Sequence, residues 1–98
     1  DFVYIDDVVE AWVRALQRPE PLNTAINVGS GIRTEVGQLL SMIQQLVPGT
    51  TVEFTDGTPG DQFGIYADTQ RMHTHLGLSQ VVSLQDGLRK FAEKAQLV

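Results

Sequence analysis

The chain has 98 residues, a net charge of −5 and no cysteine, which bounds it to one domain and excludes both a disulfide framework and a thiolate metal site. Its seven lysines and arginines are scattered, so no basic stripe exists to bind nucleic acid or an anionic membrane. No apolar run approaches the length of a membrane span, and the lack of cysteine fits a cytoplasmic location.

The chain opens with a short apolar run that leads into an amphipathic helix. Residues 2–5 are aromatic or β-branched and apolar on both faces, which predicts a strand covered on both sides, as in an α/β sheet. Asp6 or Asp7 is expected to cap the following helix, and this capping role explains the acidic group better than a cation site does. Val8, Trp12 and Leu16 share one helical stripe, so we expect Trp12 in the core.

The remaining pattern alternates between predicted strands and helices. Further strands are predicted at residues 25–28, 51–54 and 62–67. Three more helices are predicted: one capped by Thr34 over residues 35–47, a short one closed by Gly77, and a last one opened by Ser83. The predicted fold class is therefore α/β, a single small mixed domain over residues 1–98 with about four helices and three to four short strands.

Two glycines and two histidines are the first candidates for chemistry. Gly29-Ser-Gly31 lies between a predicted strand and a helix, where a phosphate-binding loop would lie, but the third glycine of that fingerprint is replaced by Thr34. A plain tight turn is the favoured interpretation. His73 and His75 are two residues apart on a short helix and point to different sides, so a metal site there is not favoured.

Asp61 is the stronger candidate. It ends the turn-rich segment of residues 56–61, where Pro59 and Gly60 restrict the backbone. A rigid turn that carries one carboxylate is a common way for a loop to present a hydrogen-bond acceptor to a ligand.

Five motifs occur in the order and spacing of one protein family. They are Asp1-Phe-Val-Tyr-Ile-Asp-Asp-Val-Val, Asn27-Val-Gly-Ser-Gly31, Pro59-Gly-Asp61, Tyr66-Ala-Asp68 followed by Leu76-Gly77, and Val82-Ser-Leu-Gln-Asp-Gly-Leu88. On these motifs the chain resembles the C-terminal, substrate-binding part of the extended short-chain dehydrogenases, the NAD-dependent sugar-nucleotide epimerases and dehydratases. The resemblance implies a lobe of an extended Rossmann-type enzyme, and we expect the chain to be a fragment that lacks the N-terminal Rossmann half.

The resemblance implies NAD for the full-length parent but no cofactor in this chain. The family's glycine-rich NAD loop and its Tyr-x-x-x-Lys pair are both absent, since Tyr4 is followed four residues on by Val8 and Tyr66 by Gln70. No catalytic, cofactor-binding or metal-ligating residue is therefore expected here, and whether the chain is an enzyme is left open.

The resemblance also implies a substrate site at Thr58, Gly60 and Asp61. In the family's Arg-x-Gly-Asp turn the arginine contacts phosphate and the aspartate contacts ribose, but the arginine position is Thr58 in this chain. A second arginine of the family pattern precedes the opening motif and lies outside residues 1–98. Nucleotide-sugar binding is therefore expected to be weak or lost.

The sequence and the resemblance leave two possible functions, which belong to different classes. The first is a UDP- or dTDP-sugar-binding lobe of an NAD-dependent epimerase or dehydratase, not catalytic alone. The alternative is a free-standing, non-catalytic oligomerisation or interaction module of the same fold. Both lead us to expect a homo-oligomer or pairing with a missing N-terminal half, because a truncated lobe would expose strand edges and apolar faces.

Overall fold

The computed structural model describes all of residues 1–98 and contains four helices. They are α1 (Ile5–Leu16), α2 (Val36–Leu46), α3 (Gln70–Leu76) and α4 (Leu84–Lys94). None of them combines the length and the apolar character needed to cross a membrane. Long connections run between them in extended or turn conformation.

The helix ends match the predicted positions closely, although some caps differ. The predicted ends at Gly77 and Ser83 are confirmed, because Gly77 closes α3 in the left-handed conformation and the Ser83 hydroxyl accepts from the Asp86 amide at 3.1 Å. The N-cap of α2 is Glu35, which forms a capping box with Gln38, and not Thr34. The N-cap of α1 is Tyr4, so neither Asp6 nor Asp7 has the predicted capping role.

The predicted α/β fold class is wrong because the structure contains no strand. The segments predicted as strands, residues 2–5, 25–28, 51–54 and 62–67, are extended or irregular, except that Ile5 already belongs to α1. All 39 backbone–backbone hydrogen bonds lie within a helix or join residues at most five apart in sequence. An apolar alternating segment becomes a strand only when a neighbouring strand accepts and donates its backbone bonds, and none of these segments provides that ladder.

Side-chain carboxylates join the extended segments where a sheet was predicted. The Asp1 carboxylate accepts from the Ser30 amide at 2.9 Å, the Ser30 hydroxyl at 2.7 Å, and the Gly31 and Ala67 amides at 3.0 Å each. The backbone nitrogen of Asp1 donates to the Ile65 carbonyl at 2.9 Å. Asp1 thereby connects three segments that are far apart in sequence.

The core lies between α1 and α3. Met72, only 1% exposed, packs with Ala11, Leu76 and Leu78. Partly buried apolar side chains from the connection after α1 and from the approach to α4 cover this cluster, namely Leu22, Ile26, Val28 and Val81. The helices α2 and α4 form a second packed pair.

Two arginines, Arg14 of α1 and Arg18 just beyond its end, bind the C-terminal end of α3. Arg14 donates to the carbonyls of Leu76 at 3.2 Å and Gly77 at 2.7 Å, and Arg18 donates to the carbonyl of His75. The last carbonyls of a helix have no partner within the helix and carry its negative partial charge. The guanidinium groups therefore satisfy these acceptors and fix the angle between α1 and α3.

The molecule is flat and exposes much of its apolar surface. It measures 50 × 34 × 17 Å with a radius of gyration of 16.2 Å, whereas a compact domain of this length has roughly 13 Å. Trp12 is 68% exposed, so the prediction that it lies in the core is wrong. The face of α1 that is buried carries Asp7 and Ala11 instead.

Asp7 is expected to be a structural carboxylate. It is 7% exposed and accepts from the Val82 amide at 2.9 Å, which holds the segment before α4 against α1. Asp7→Ala leaves that amide without a partner and should lower the free energy of unfolding by about 1–3 kcal/mol. Urea unfolding measures the loss. The control is Asp6→Ala, at the exposed neighbouring position, and an equal effect of the two variants would contradict this role.

Asp1 is expected to stabilise the fold in the same way. Asp1→Asn places an amide group opposite backbone N–H donors and weakens charge-assisted hydrogen bonds, so the free energy of unfolding should fall by about 1–3 kcal/mol. Ser30→Ala removes only the hydroxyl donor and should cost clearly less. Denaturant titration of both variants measures the two losses in free energy of unfolding. A loss for Ser30→Ala that equals or exceeds the loss for Asp1→Asn would contradict the stabilising role of Asp1.

Candidate functional site

The predicted site residues form one tight turn, Thr58 to Asp61. The Asp61 amide donates to the Thr58 carbonyl at 3.1 Å, and Gly60 has a φ of +89°. Proline followed by a residue with positive φ is typical of a type II turn, in which glycine is favoured at that second position. The structure therefore brings Thr58 and Asp61 together through Pro59 and Gly60.

The Asp61 carboxylate is held within this turn. It accepts from the Thr58 amide at 2.7 Å and from the Thr58 hydroxyl. The hydroxyl bond first, and then the amide bond, lower the pKa of Asp61 below its ordinary value of 3.8. Asp61 is thus an ionised, fixed and fully exposed acceptor, and about two of its four lone-pair positions are free for a ligand.

The segment that follows Asp61 lines a cleft of about 910 Å³. Residues 62–66 form one wall, and the start of the chain and the approach to α2 form the others, through Asp1, Phe2 and residues 33–36. The exposed rings of Phe63 and Tyr66 and the edge of Phe2 give this cleft aromatic surface. A volume of this size is within the range of small-molecule sites.

Arg33 is the one cationic side chain that lines this cleft. Its guanidinium lies 3.6 Å from the Glu35 carboxylate, and both groups are mostly exposed. An exposed ion pair of this length is weak, so Arg33 is available to a competing anion. The sequence analysis missed Arg33, and the only signal for it was a lone basic residue between a glycine turn and a helix.

The turn from Gly29 to Gly31 is already occupied by the Asp1 carboxylate. The Ser30 and Gly31 amides, which a phosphate would need, donate to Asp1. A Cβ on Gly29 would lie 2.7 Å from an Asp1 carboxylate oxygen and 2.9 Å from the Ala67 Cβ, so glycine is required by this close approach. The turn is built around an internal anion and is not a phosphate loop. Sequence reasoning also missed this role of Asp1, which depends on contacts across 29 to 66 residues.

Two of the three acidic candidates at the start of α1 have structural partners. Asp7 binds the Val82 amide, and Glu10 pairs with Arg14 at 2.7 Å, so the acidic group at the start of α1 is divided between two contacts. His73 and His75 lie on α3, and no three His, Asp or Glu side chains are grouped as a metal site requires.

Comparisons with known proteins relate the chain to sugar-nucleotide epimerases. It is 34% identical over 94 residues to the UDP-glucose 4-epimerase of Mycolicibacterium smegmatis, a match that covers 95% of this chain and 30% of that protein. It is 29% and 30% identical over 91 residues to probable UDP-arabinose 4-epimerases of Oryza sativa subsp. japonica and Arabidopsis thaliana, covering 90% of this chain and 22% of each protein. No family model and no solved structure matches.

The match extends over almost all of this chain but over only a small part of each relative. The chain spans between 21% and 30% of the length of the curated relatives that it matches. The kinship with sugar-nucleotide epimerases that the five motifs indicated is confirmed. The chain is homologous to one part of the UDP-sugar 4-epimerases.

Proposed function

We propose that this chain is the substrate-binding, C-terminal part of a UDP-sugar 4-epimerase of the extended short-chain dehydrogenase type, and that it is not catalytic alone. One observation supports this function above others. The rigid Asp61 turn leads directly into the 910 Å³ cleft, in a chain whose relatives are named for UDP-sugars. We further propose a cytoplasmic location, for which the absence of cysteine is the supporting observation.

Asp61 is proposed to accept hydrogen bonds from the ribose hydroxyls of the nucleotide. Its carboxylate is ionised and fixed by Thr58, so a ligand does not have to restrain a mobile side chain. Two vicinal hydroxyls can use the two lone-pair positions that Thr58 leaves free. This is the role that the family resemblance assigns to the aspartate of the turn.

The site has little positive charge with which to bind the phosphates of a nucleotide sugar. A nucleoside diphosphate sugar carries two negative charges, and the cleft carries Asp1 and Glu35 against a single cation, Arg33. The family pattern places an arginine at position 58, where this chain has Thr58 with one hydroxyl. Arg33 is therefore proposed as the only phosphate contact in this chain, and binding by the chain alone should be weak.

NAD is proposed to bind outside these 98 residues. The only glycine turn between an extended segment and a helix is filled by the Asp1 carboxylate, so the residues present do not fit a dinucleotide phosphate. The role of the chain is limited to positioning the sugar nucleotide. A stand-alone interaction module is the second candidate function, and the exposed apolar face of α1 favours it.

The low pKa of Asp61 gives a pH test of the turn. The pKa of Asp61 is lower in the folded chain than its ordinary value of 3.8, so the ionised carboxylate stabilises the turn above pH 3.8. This stabilisation is lost as the pH falls through the lowered pKa. Thr58→Val removes the hydroxyl donor and keeps the amide, so the pKa of Asp61 should rise part of the way towards 3.8. Thr58→Ser keeps both donors and should leave it low. Carboxyl-carbon NMR titration measures both, and identical titration of the Val and Ser variants would show that the hydroxyl bond is not formed.

The nucleotide site itself is tested by restoring the missing charge. Thr58→Arg should strengthen UDP binding roughly ten- to a hundred-fold, because an arginine can bind phosphate oxygens in a bidentate way. Asp61→Ala in the same chain should remove the gain. Titration calorimetry with UDP measures both variants.

Thr55→Arg is the matched control for this experiment. It adds the same charge at an exposed threonine in the same loop but outside the turn. Because salt screens an exposed charge, it should change the affinity for UDP by less than about two-fold. If Thr58→Arg shows no detectable UDP binding, or binds no better than Thr55→Arg, the assignment of Asp61 to the nucleotide site is wrong.

A further inference from the structure

The chain contains two Asp-Gly dipeptides, Asp56-Gly57 and Asp86-Gly87, and no Asn-Gly. An Asp-Gly peptide can rearrange without an enzyme, because glycine has no Cβ to hinder the attack of its nitrogen on the aspartate side chain. Both aspartates are exposed. The exposure of the carboxyl groups therefore does not separate the two dipeptides, and their backbone contacts decide which one can react.

The rearrangement of an Asp-Gly peptide requires no reagent other than water. The glycine nitrogen bonds to Cγ of the aspartate, and the amide proton leaves with a carboxyl oxygen and its proton as one water molecule. Water then opens the resulting five-membered succinimide ring. Opening at Cγ restores aspartate, whereas opening at the main-chain carbonyl leaves the chain running through the side chain, as an isoaspartyl residue of unchanged mass.

The Asp86-Gly87 peptide is held within α4. The Gly87 amide donates to the Ser83 carbonyl at 2.8 Å, and a Cβ on Gly87 would lie 3.2 Å from the Tyr4 ring. The Asp86 carboxylate accepts from the Ser83 hydroxyl at 2.8 Å and pairs with Arg89 at 3.2 Å. The succinimide ring closes only when ψ of the aspartate departs from its helical value, so the first turn of α4 has to open before this peptide can react.

The Asp56-Gly57 peptide has none of these restraints. No backbone–backbone hydrogen bond involves residues 51–57, so the Gly57 nitrogen is not engaged as the Gly87 nitrogen is. The Asp56 carboxylate belongs to none of the three ion pairs of the chain, and Gly57 is exposed. Rotation of ψ at Asp56 therefore breaks no backbone hydrogen bond and uncovers no buried surface.

We propose that Asp56-Gly57 is a site of spontaneous isoaspartyl modification, and that α4 protects Asp86-Gly87 from the same reaction. The modification inserts one side-chain carbon into the main chain and leaves a free α-carboxylate directly before the Thr58–Asp61 turn. A Cβ on Gly57 would lie only 3.3 Å from the Asp61 carboxylate, so the altered peptide borders the candidate site. The exposed α-carboxylate is the group that methyltransferases specific for L-isoaspartyl residues esterify. The modification is independent of nucleotide binding.

Incubation of the purified 98-residue chain at neutral pH tests the proposal. Electron-transfer dissociation mass spectrometry of its peptides locates isoaspartate. In the folded chain, isoaspartate should accumulate at residue 56 at least about ten times faster than at residue 86, because α4 has to open for the second reaction. In guanidinium chloride the two rates should be similar, since neither peptide is then held in a helix.

Asp56→Glu and Asp86→Glu are the matched variants. A glutamate keeps the negative charge but has to close a six-membered ring, which forms far more slowly than the succinimide. A methyltransferase specific for L-isoaspartyl residues, with S-adenosylmethionine as methyl donor, measures the total modification of each folded variant. Asp56→Glu should remove nearly all methyl incorporation, whereas Asp86→Glu should leave it unchanged.

Three results would overturn the proposal. Equal accumulation at residues 56 and 86 in the folded chain would show that the contacts of α4 give no protection. Isoaspartate that forms at residue 56 in guanidinium chloride but not in the folded chain would show that the fold keeps this peptide from closing the ring. Unchanged methyl incorporation by Asp56→Glu would place the modification elsewhere in the chain.

Discussion

The Asp1 carboxylate is the contact on which the arrangement of the extended segments depends. Four donors from two distant segments converge on its two oxygens, within 2.7–3.0 Å. In a sheet, a ladder of backbone bonds would distribute this task over many residues. Here one side chain holds residues 29–31 and Ala67 together, and so also fixes one end of the segment that lines the cleft.

This dependence on side chains explains what the sequence could and could not reveal. Helices are local, and the spacing of apolar residues with Ser83 and Gly77 at the boundaries was sufficient to place them. Strands depend on a partner, so the alternation in residues 51–54 and 62–67 predicted extended backbone but not the lack of a ladder. Trp12 was misplaced for a related reason, since an apolar stripe in a sequence does not say whether its cover belongs to the same chain.

For the candidate site, too, local contacts could be predicted from the sequence and long-range contacts could not. The Thr58–Asp61 turn could be predicted because proline, glycine and aspartate define it locally, and its hydrogen bonds are all within four residues. Its function as a nucleotide site stays a prediction. Arg33 and Asp1 could not be found from the sequence, because their importance arises where segments 30 or more residues apart line one cleft. The buried Asp7 is a similar case, since its partner Val82 is 75 residues away.

One wall of the cleft is itself part of the exposed apolar surface of the chain. Residues 62–66 form a wall of the cleft without any backbone ladder, and Phe63 and Ile65 on this wall are themselves exposed. A wall held mainly at one end can shift by amounts that matter for hydrogen bonds of about 3 Å. Binding a nucleotide to the chain alone must therefore offset the ordering of this segment in addition to the repulsion between phosphates and carboxylates. A contact that covered the exposed Phe63 and Ile65 side chains would order this wall before a ligand arrives and would lower that cost.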